Sequence, residues 1–142
     1  MLDIKIEFLN TNGQLPKQST PGAAGWDVYA IKGGEVWAGH RKRIPLGFKV
    51  ELPHGWQMKV KQRSSMFDLG LITNDSPIDS DYRGEVFAFV NNTSAVLWRY
   101  EAGERIGQLL FEPVPVVRWR QVGAGELSQT LRGEGGFGST GR

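Results

Sequence analysis

Residues 56–62 read WQMKVKQ, and from Trp56 to Lys61 they alternate strictly between apolar and polar side chains. Trp56, Met58 and Val60 fall on one face of an extended chain, and the glutamine and lysines between them fall on the other. This period of two predicts a β-strand that packs one face against a core.

The same type of segment recurs along the chain. Five further stretches alternate or run apolar: IKIEF (4–8), FKVEL (48–52), EVFAFVN (85–91), RIGQLLFEP (105–113) and VVRWRQV (116–122). Turns rich in glycine and proline separate them. Only SSMFDLG (64–70) reads as a short helix, with serines suited to an N-cap and a closing glycine. The pattern predicts an all-β sandwich, jelly roll or small barrel.

Composition limits the possible chemistry. The 142 residues fit one domain, and 17 Lys+Arg against 15 Asp+Glu give a net charge of +2. This charge suits a small anionic ligand and argues against nucleic-acid binding. No cysteine and only two histidines are present, so hydrolytic chemistry has to rest on carboxylates. We see no bilayer-spanning run or signal peptide, and expect a cytoplasmic protein (host cytoplasm if a virus or phage encodes it).

Polar residues gather in two turns that could form sites. QRSSMFDLG places Arg63, Ser64 and Ser65 at a helix start, which suits either anion binding or simple N-capping. PIDSDYRGE packs acids and Tyr82 into one turn, where Asp79 is either a general base lining a cleft or part of an ordinary polar hairpin.

Three further segments are weaker candidates on their own. Asp27 follows a glycine turn in PGAAGWDVYA, and Gln108 lies in an apolar strand where its amide needs a partner. The tail RGEGGFGSTGR is either a disordered terminus or an arm that binds phosphate through its glycine-rich backbone.

These five segments, taken in order, resemble the five motifs of the trimeric dUTPases. The matching stretches are AGWDVYA, RSSMFDLG, IDSDYRGE, GERIGQLLF and RGEGGFGSTG. The resemblance runs from about residue 21 to residue 141. It implies a jelly-roll-like β sandwich with one short helix and a flexible arm. It also implies hydrolysis of dUTP to dUMP and pyrophosphate, which keeps uracil out of DNA and supplies dUMP for thymidylate synthesis.

The resemblance also implies roles for single residues. Asp79 would deprotonate the attacking water and contact the sugar 3′-hydroxyl, and Tyr82 would pack under the deoxyribose and exclude a ribose. Gln108 would bond near the α-phosphate and its water. The phosphates would be held at the helix start by Arg63, Ser64 and Ser65. Ile78 belongs to the hairpin that binds the base, and Asn74 is a candidate contact to base or phosphate.

A metal ion, an arm and a trimer complete what the resemblance implies. Mg²⁺ would be held chiefly by the triphosphate, with Asp27 in its water shell. Residues 1–131 would form the β domain, and residues 132–142 would form an arm that closes over a neighbouring subunit's site. In that arm Arg132 would pair with the γ-phosphate, Phe137 would stack on uracil, and Gly138, Ser139 and Thr140 would wrap the triphosphate.

One segment departs from the family pattern. GLITNDSPID is slightly short, and Ser76 and Pro77 stand where the family commonly has glycine and an apolar residue. The family reads uracil there mainly through backbone groups, and a proline cannot donate an N–H. Alternatives are a dCTP deaminase on the same fold and a dUTP-responsive regulatory protein; a single-stranded nucleic-acid binder is poorly supported by the low charge.

Overall fold

The computed structural model describes residues 1–141, in which short strands form the framework. Within this range the elements are β1 (Lys5–Phe8), β2 (Trp26–Tyr29), β3 (Gly34–Val36), β4 (Arg41–Pro45), β5 (Phe48–Glu51), β6 (Trp56–Lys61), α1 (Ser64–Asp68), β7 (Leu71–Thr73), β8 (Phe87–Asn92), β9 (Trp98–Tyr100) and β10 (Arg105–Pro113). The all-β prediction with one short helix is confirmed.

The strands pair antiparallel in four small sheets. β10 lies between β2 and β6, and β8 lies between β4 and β7. The remaining strands form the pairs β1–β5 and β3–β9. These sheets enclose one core in a jelly-roll-like sandwich, so that polar residues at strand ends and turns are left on its surface.

The core follows the alternation read from the sequence. In β6, Met58 and Val60 are 0% and 4% exposed, whereas the lysines beside them face outward. In β8, Ala88 and Val90 are buried in the same way. Burial of such apolar side chains supplies about 25 cal/mol per Å² of surface removed from water, which makes this face the main stabilising element.

The helix begins differently from the prediction. Its N-cap is Arg63, which makes no side-chain capping bond, and Ser64 and Ser65 are already helical. The predicted serine N-cap is therefore wrong, because the chain enters the helix one residue earlier. Its C-terminal end agrees with the sequence: Gly70 has φ +76°, and its amide donates to the carbonyl of Phe67 at 2.8 Å.

The predicted strand at residues 116–122 is also wrong. β10 ends at Pro113, and residues 114–141 contain no strand. A strand needs a neighbour to satisfy its backbone groups, and no part of the described chain pairs with this segment. Val116 and Trp119 are consequently fully or almost fully exposed. Across residues 1–141 the structure contains no helix of the length and apolarity needed to cross a membrane.

Candidate active site

A cleft of about 370 Å³ lies beside the turn that connects β7 to β8. Its lining consists of Arg43, Val60, Asn74, Ser76, Pro77, Ile78, Asp79, Tyr82, Glu85, Val86, Phe87 and Phe89. Four side chains that the sequence nominated, those of Asn74, Ile78, Asp79 and Tyr82, thus meet in one concavity. A mostly apolar cleft with a few polar groups is the usual form of a small-molecule site.

A backbone bridge places the acid of this cleft. Ile78 donates to the carbonyl of Met58 at 2.7 Å and accepts from its amide at 3.1 Å, which fastens the segment to β6. Asp79 follows directly, and its side chain is exposed to solvent. An exposed carboxylate at a cleft wall can accept a proton from a water molecule bound there.

Tyr82 is held against the same cleft by the tight turn. Its hydroxyl donates to the carbonyl of Glu85 at 2.9 Å, and its amide donates to the carbonyl of Asp79 at 3.2 Å. A Cβ at Gly84 would collide with the tyrosine ring and hydroxyl. The glycine is therefore required for the ring to fold back over the turn.

An ion-pair cluster fastens the other end of this loop. Lys61 Nζ lies 2.7 Å from Asp75, and Lys59 Nζ lies 3.8 Å from it. The hydrogen bond from Lys61, together with the charge of Lys59, lowers the pKa of the Asp75 carboxyl. A carboxyl with a lowered folded-state pKa stabilises the fold above its ordinary pKa, and loses that effect as the pH falls through the lower value. Because Asp75 is exposed, this contribution is small.

A second polar cluster surrounds Asp27, which is 7% exposed. Arg63 Nε donates to Asp27 Oδ1 at 3.0 Å, and Arg105 lies 3.4 Å from Oδ2. Ser19 donates to the same Oδ2 at 2.5 Å. Only the Nε of Arg63 is bonded within residues 1–141, so its two terminal nitrogens are free to bind an anion in the shallow cavity that Arg63 and Arg105 line with Tyr29.

Gln108 lies on β10 directly opposite Asp27 of β2. Its Nε2 donates to the carbonyl of Gln62 at 3.1 Å. The side-chain amide thus has the hydrogen-bond partner that an amide in an apolar strand needs. A Cβ at Gly25 would collide with Gln108 Oε1, so this glycine makes room for the side chain. Oε1 accepts no hydrogen bond within residues 1–141 and can receive one from a bound water.

The structure does not bring all the nominated residues together. Arg63 and Gln108 do not line the 370 Å³ cleft, and neither do Ser64 and Ser65, which are exposed at the start of α1. A single chain therefore presents an acid-and-tyrosine cleft and a separate arginine-and-glutamine cluster.

The described part of the glycine-rich tail, residues 132–141, makes no hydrogen bond to either set. Its hydrogen bonds are local, such as that from Arg132 Nε to the carbonyl of Gly135 at 2.7 Å. Phe137 is fully exposed and has φ +51°, the one positive φ of a residue other than glycine within residues 1–141. Ser139 and Thr140 are exposed as well, and the final residue of the tail, Arg142, lies outside the described residues.

Sequence reasoning missed several residues of these two clusters, including four that contribute charge, hydrogen bonds or an aromatic ring. Ser19 and Arg105 complete the environment of Asp27, and Arg43 and Phe89 line the cleft. Arg105, Arg43 and Phe89 are distant along the chain from the residues they join, and the pairing of β2 with β10 and of β4 with β8 brings them there. Ser19 precedes Asp27 by eight residues and lies beside the backbone bridge between Lys17 and Asp27. No local sequence signal identifies such contacts.

The residues allow a divalent cation only in an outer role. Within residues 1–141, no three His, Cys, Asp or Glu side chains cluster as metal ligands do. A carboxylate accepts about four hydrogen bonds, and Asp27 accepts three, from Ser19, Arg63 and Arg105. One lone pair is left for a water in the shell of a hydrated ion, which suits Mg²⁺ because this ion keeps its waters.

Comparison with known proteins finds a family model and relatives that share one description. A family model described as dUTPase matches residues 11–141. The chain is 36% identical to the deoxyuridine 5′-triphosphate nucleotidohydrolase of Anaplasma marginale, over 99% of both chains. It is 37% identical to the protein of the same name from Nautilia profundicola, over 99% of this chain and 100% of that one.

Solved structures share the fold. The dUTPase of Staphylococcus bacteriophage 80alpha, solved with dUpNHpp, matches with a TM-score of 0.89 and 23% identity, over 99% of both chains. The dUTPase of phage phi11 of S. aureus, described with a structural Mg(II) ion, matches with a TM-score of 0.80 and 16% identity, over 88% of this chain and 99% of that one.

Proposed function

The chain belongs to the dUTPase family, and from this we infer that it is a hydrolase that converts dUTP to dUMP and pyrophosphate. The observation that carries the inference is the cleft in which Asp79 and Tyr82 face the same space. Hydrolysis of a deoxynucleotide at this site needs an acid that accepts a proton and a ring that packs against the sugar.

Asp79 serves as the general base. Its carboxylate takes a proton from the water that attacks the α-phosphorus, and the bond to the bridging oxygen breaks so that pyrophosphate leaves. The free Oε1 of Gln108 accepts a hydrogen bond from the same water and orients it. The free nitrogens of Arg63 bind phosphate oxygens, with the hydroxyls of Ser64 and Ser65 beside them. No covalent intermediate is needed, since positioning and charge neutralisation lower the barrier.

The residues of this site would hold Mg²⁺ only through water. A bound ion would supply charge neutralisation on the triphosphate. Asp27 would accept a hydrogen bond from the ion's water shell through its remaining lone pair, and Arg63 and Arg105 keep the carboxylate oriented. Loss of either arginine therefore disturbs the ion's site as well as the phosphate contacts.

Tyr82 gives the site its preference for deoxyribose. The hydrogen bond of its hydroxyl to Glu85 and its packing on Gly84 fix the ring. A fixed ring that packs under the deoxyribose excludes a 2′-hydroxyl by steric clash. We predict that kcat/KM for UTP lies far below kcat/KM for dUTP. Tyr82→Ala should reduce this difference in kcat/KM, because the smaller side chain admits the ribose. Steady-state kinetics with both nucleotides measure this. Equal turnover of the two by the unsubstituted protein would refute the role.

A homotrimer with shared sites explains why one chain holds two separate clusters. In such an assembly the cleft of one chain faces the arginine-and-glutamine cluster of another. The segment after β10 supports association, because Val116, Trp119 and Leu127 are between 79% and 101% exposed. Large apolar side chains exposed in one segment are costly in water and are a sign of a surface that is buried in an interface.

The arm of residues 132–142 closes the shared site, beyond a β domain of residues 1–131. The local hydrogen bonds of its described part leave it free to move onto a ligand. Arg132 then pairs with the γ-phosphate, Phe137 stacks on the base, and the backbone of Gly138, Ser139 and Thr140 wraps the phosphates. Eleven extended residues reach roughly 36–40 Å, which is enough to cross to a neighbouring subunit.

The proposed reaction is tested by pyrophosphate release from dUTP, dCTP, dTTP and UTP with Mg²⁺ present. We expect release from dUTP to exceed that from the other three, with dUMP as the second product. Release of ammonia from dCTP would instead indicate the deaminase alternative, which the family model and the relatives disfavour. A dUTP-responsive regulatory role and a cytoplasmic location stay predictions.

A further inference from the structure

One cation in the cleft has no counter-charge. Arg43 lies in β4 directly opposite Phe89 of β8, and its guanidinium carbon is 5.3 Å from the ring centroid of Phe87. Within residues 1–141 the guanidinium makes no ion pair or hydrogen bond with another side chain. Its five N–H donors are therefore free for a ligand in the cleft that it lines.

Arg43 reaches the cleft from a different element than the acid. Asp79 and Tyr82 belong to the turn, whereas Arg43 and Phe89 belong to the paired strands β4 and β8 that line the same cleft. Asn74 is tied to these strands, because its amide donates to the carbonyl of Phe89 at 3.3 Å. A nucleotide whose sugar contacts Tyr82 extends its base over the remaining lining, in which Arg43 is the one cation within residues 1–141.

Backbone donors are scarce along this wall. The amide of Asn74 is bonded to Phe89, and that of Ile78 is bonded to Met58 at 2.7 Å. Pro77 has no N–H at all. The amide of Ser76 makes no hydrogen bond within residues 1–141, so a base that enters here meets that amide and the guanidinium of Arg43, of which the guanidinium is the stronger donor.

We propose that Arg43 selects the base by donating to the carbonyl oxygen at position 4 of uracil. This inference rests on the proposed function and adds to it a reader of the base. Cytosine carries an amino group at the same position, so two sets of donors would face each other and both would lose hydrogen bonds. Thymine keeps the carbonyl, so Arg43 separates dUTP from dCTP and does not separate dUTP from dTTP.

The test compares Arg43→Met with the matched control Arg41→Met. Methionine keeps a side chain of similar length on Phe87 but donates no hydrogen bond. Arg41 lies two residues earlier in the same strand and does not line the cleft. We expect Arg43→Met to lower kcat/KM for dUTP by about 10- to 100-fold, mainly through KM, as loss of a charged hydrogen bond predicts. The kcat/KM for dCTP should not fall. Arg41→Met should leave the ratio of kcat/KM for dUTP to kcat/KM for dCTP unchanged.

A second substitution and a binding measurement make the result decisive. Arg43→Lys keeps the charge and should keep part of the preference for dUTP over dCTP. If Arg43→Met left the ratio of kcat/KM for dUTP to kcat/KM for dCTP unchanged, the inference would be overturned. Hydrolysis of dUTP by the unsubstituted protein would still uphold the proposed function in that case. If the unsubstituted protein did not hydrolyse dUTP, calorimetry with dUMP and dCMP would test the role of Arg43. Tighter binding of dUMP than of dCMP, with the difference lost in Arg43→Met, supports the role. Equal binding of dUMP and dCMP by the unsubstituted protein refutes it.

Discussion

Asp79→Asn should lower turnover of dUTP by about 10²-fold or more while nucleotide binding is retained. Asparagine has the size of aspartate but cannot take a proton from the attacking water. The Asp79 side chain is exposed and makes no hydrogen bond within residues 1–141, so the substitution should not destabilise the fold. Steady-state pyrophosphate release, with calorimetry of a non-hydrolysable dUTP analogue, separates the loss of chemistry from a loss of binding.

Asp81→Asn provides the matched control for this experiment. Asp81 lies in the same turn and is exposed, but it does not line the cleft. We expect near-normal turnover from this variant. If Asp79→Asn kept a normal kcat while Asp81→Asn lost it, the general base would be Asp81 and the assignment would be wrong.

Removal of residues 132–142 should reduce turnover on the order of 10²-fold or more, because it deletes both a phosphate ligand and a base-stacking ring. The fold should be unaffected, since the last strand ends at Pro113 and the hydrogen bonds of the described arm stay within residues 130–141. Phe137→Ala alone should weaken productive binding by about 5- to 150-fold, because stacking is worth roughly 1–3 kcal/mol.

Thermal unfolding and sedimentation are the controls for the arm deletion. An unchanged melting temperature and an unchanged assembly size would assign the loss of turnover to the arm itself. Limited proteolysis adds an independent reading, since cleavage near Arg132 should be fast in the free protein and slow with the analogue bound. Equal cleavage in both states would show that the arm does not close.

The sequence predicts those parts of the fold that depend on local alternation. β6 and β8 bury the side chains that their period of two selects, because each strand has one face on the core. Residues 116–122 have the same period, yet they form no strand, because the hydrogen-bond partners a strand requires are absent from the described chain. The alternation of apolar and polar residues indicates which face of a segment is apolar. It does not indicate which chain packs against that face.

The candidate site was predictable in its motifs and unpredictable in its connections. Asp79, Tyr82 and Gln108 are ambiguous one by one, and they are identified because their segments resemble, in order, the motifs of the dUTPase family. The contacts of Asp27 with Arg63 and Arg105, and the presence of Arg43 in the cleft, arise from strand register over long sequence separations. Single-sequence patterns do not encode that register, so these contacts required the three-dimensional structure.

The most direct test of a site shared between chains is complementation between two inactive variants. Asp79→Asn chains and chains that end at Leu131 are unfolded together in equal amounts and refolded, and pyrophosphate release is then measured. Mass spectrometry confirms that mixed assemblies form, since the truncated chain is lighter. We expect activity to return to roughly a quarter of the normal level, because random closed assembly gives some sites an intact Asp79 from one chain and an intact arm from another. If mixed assemblies form and activity does not return, each site takes its acid and its arm from the same chain, and the shared-site account is wrong.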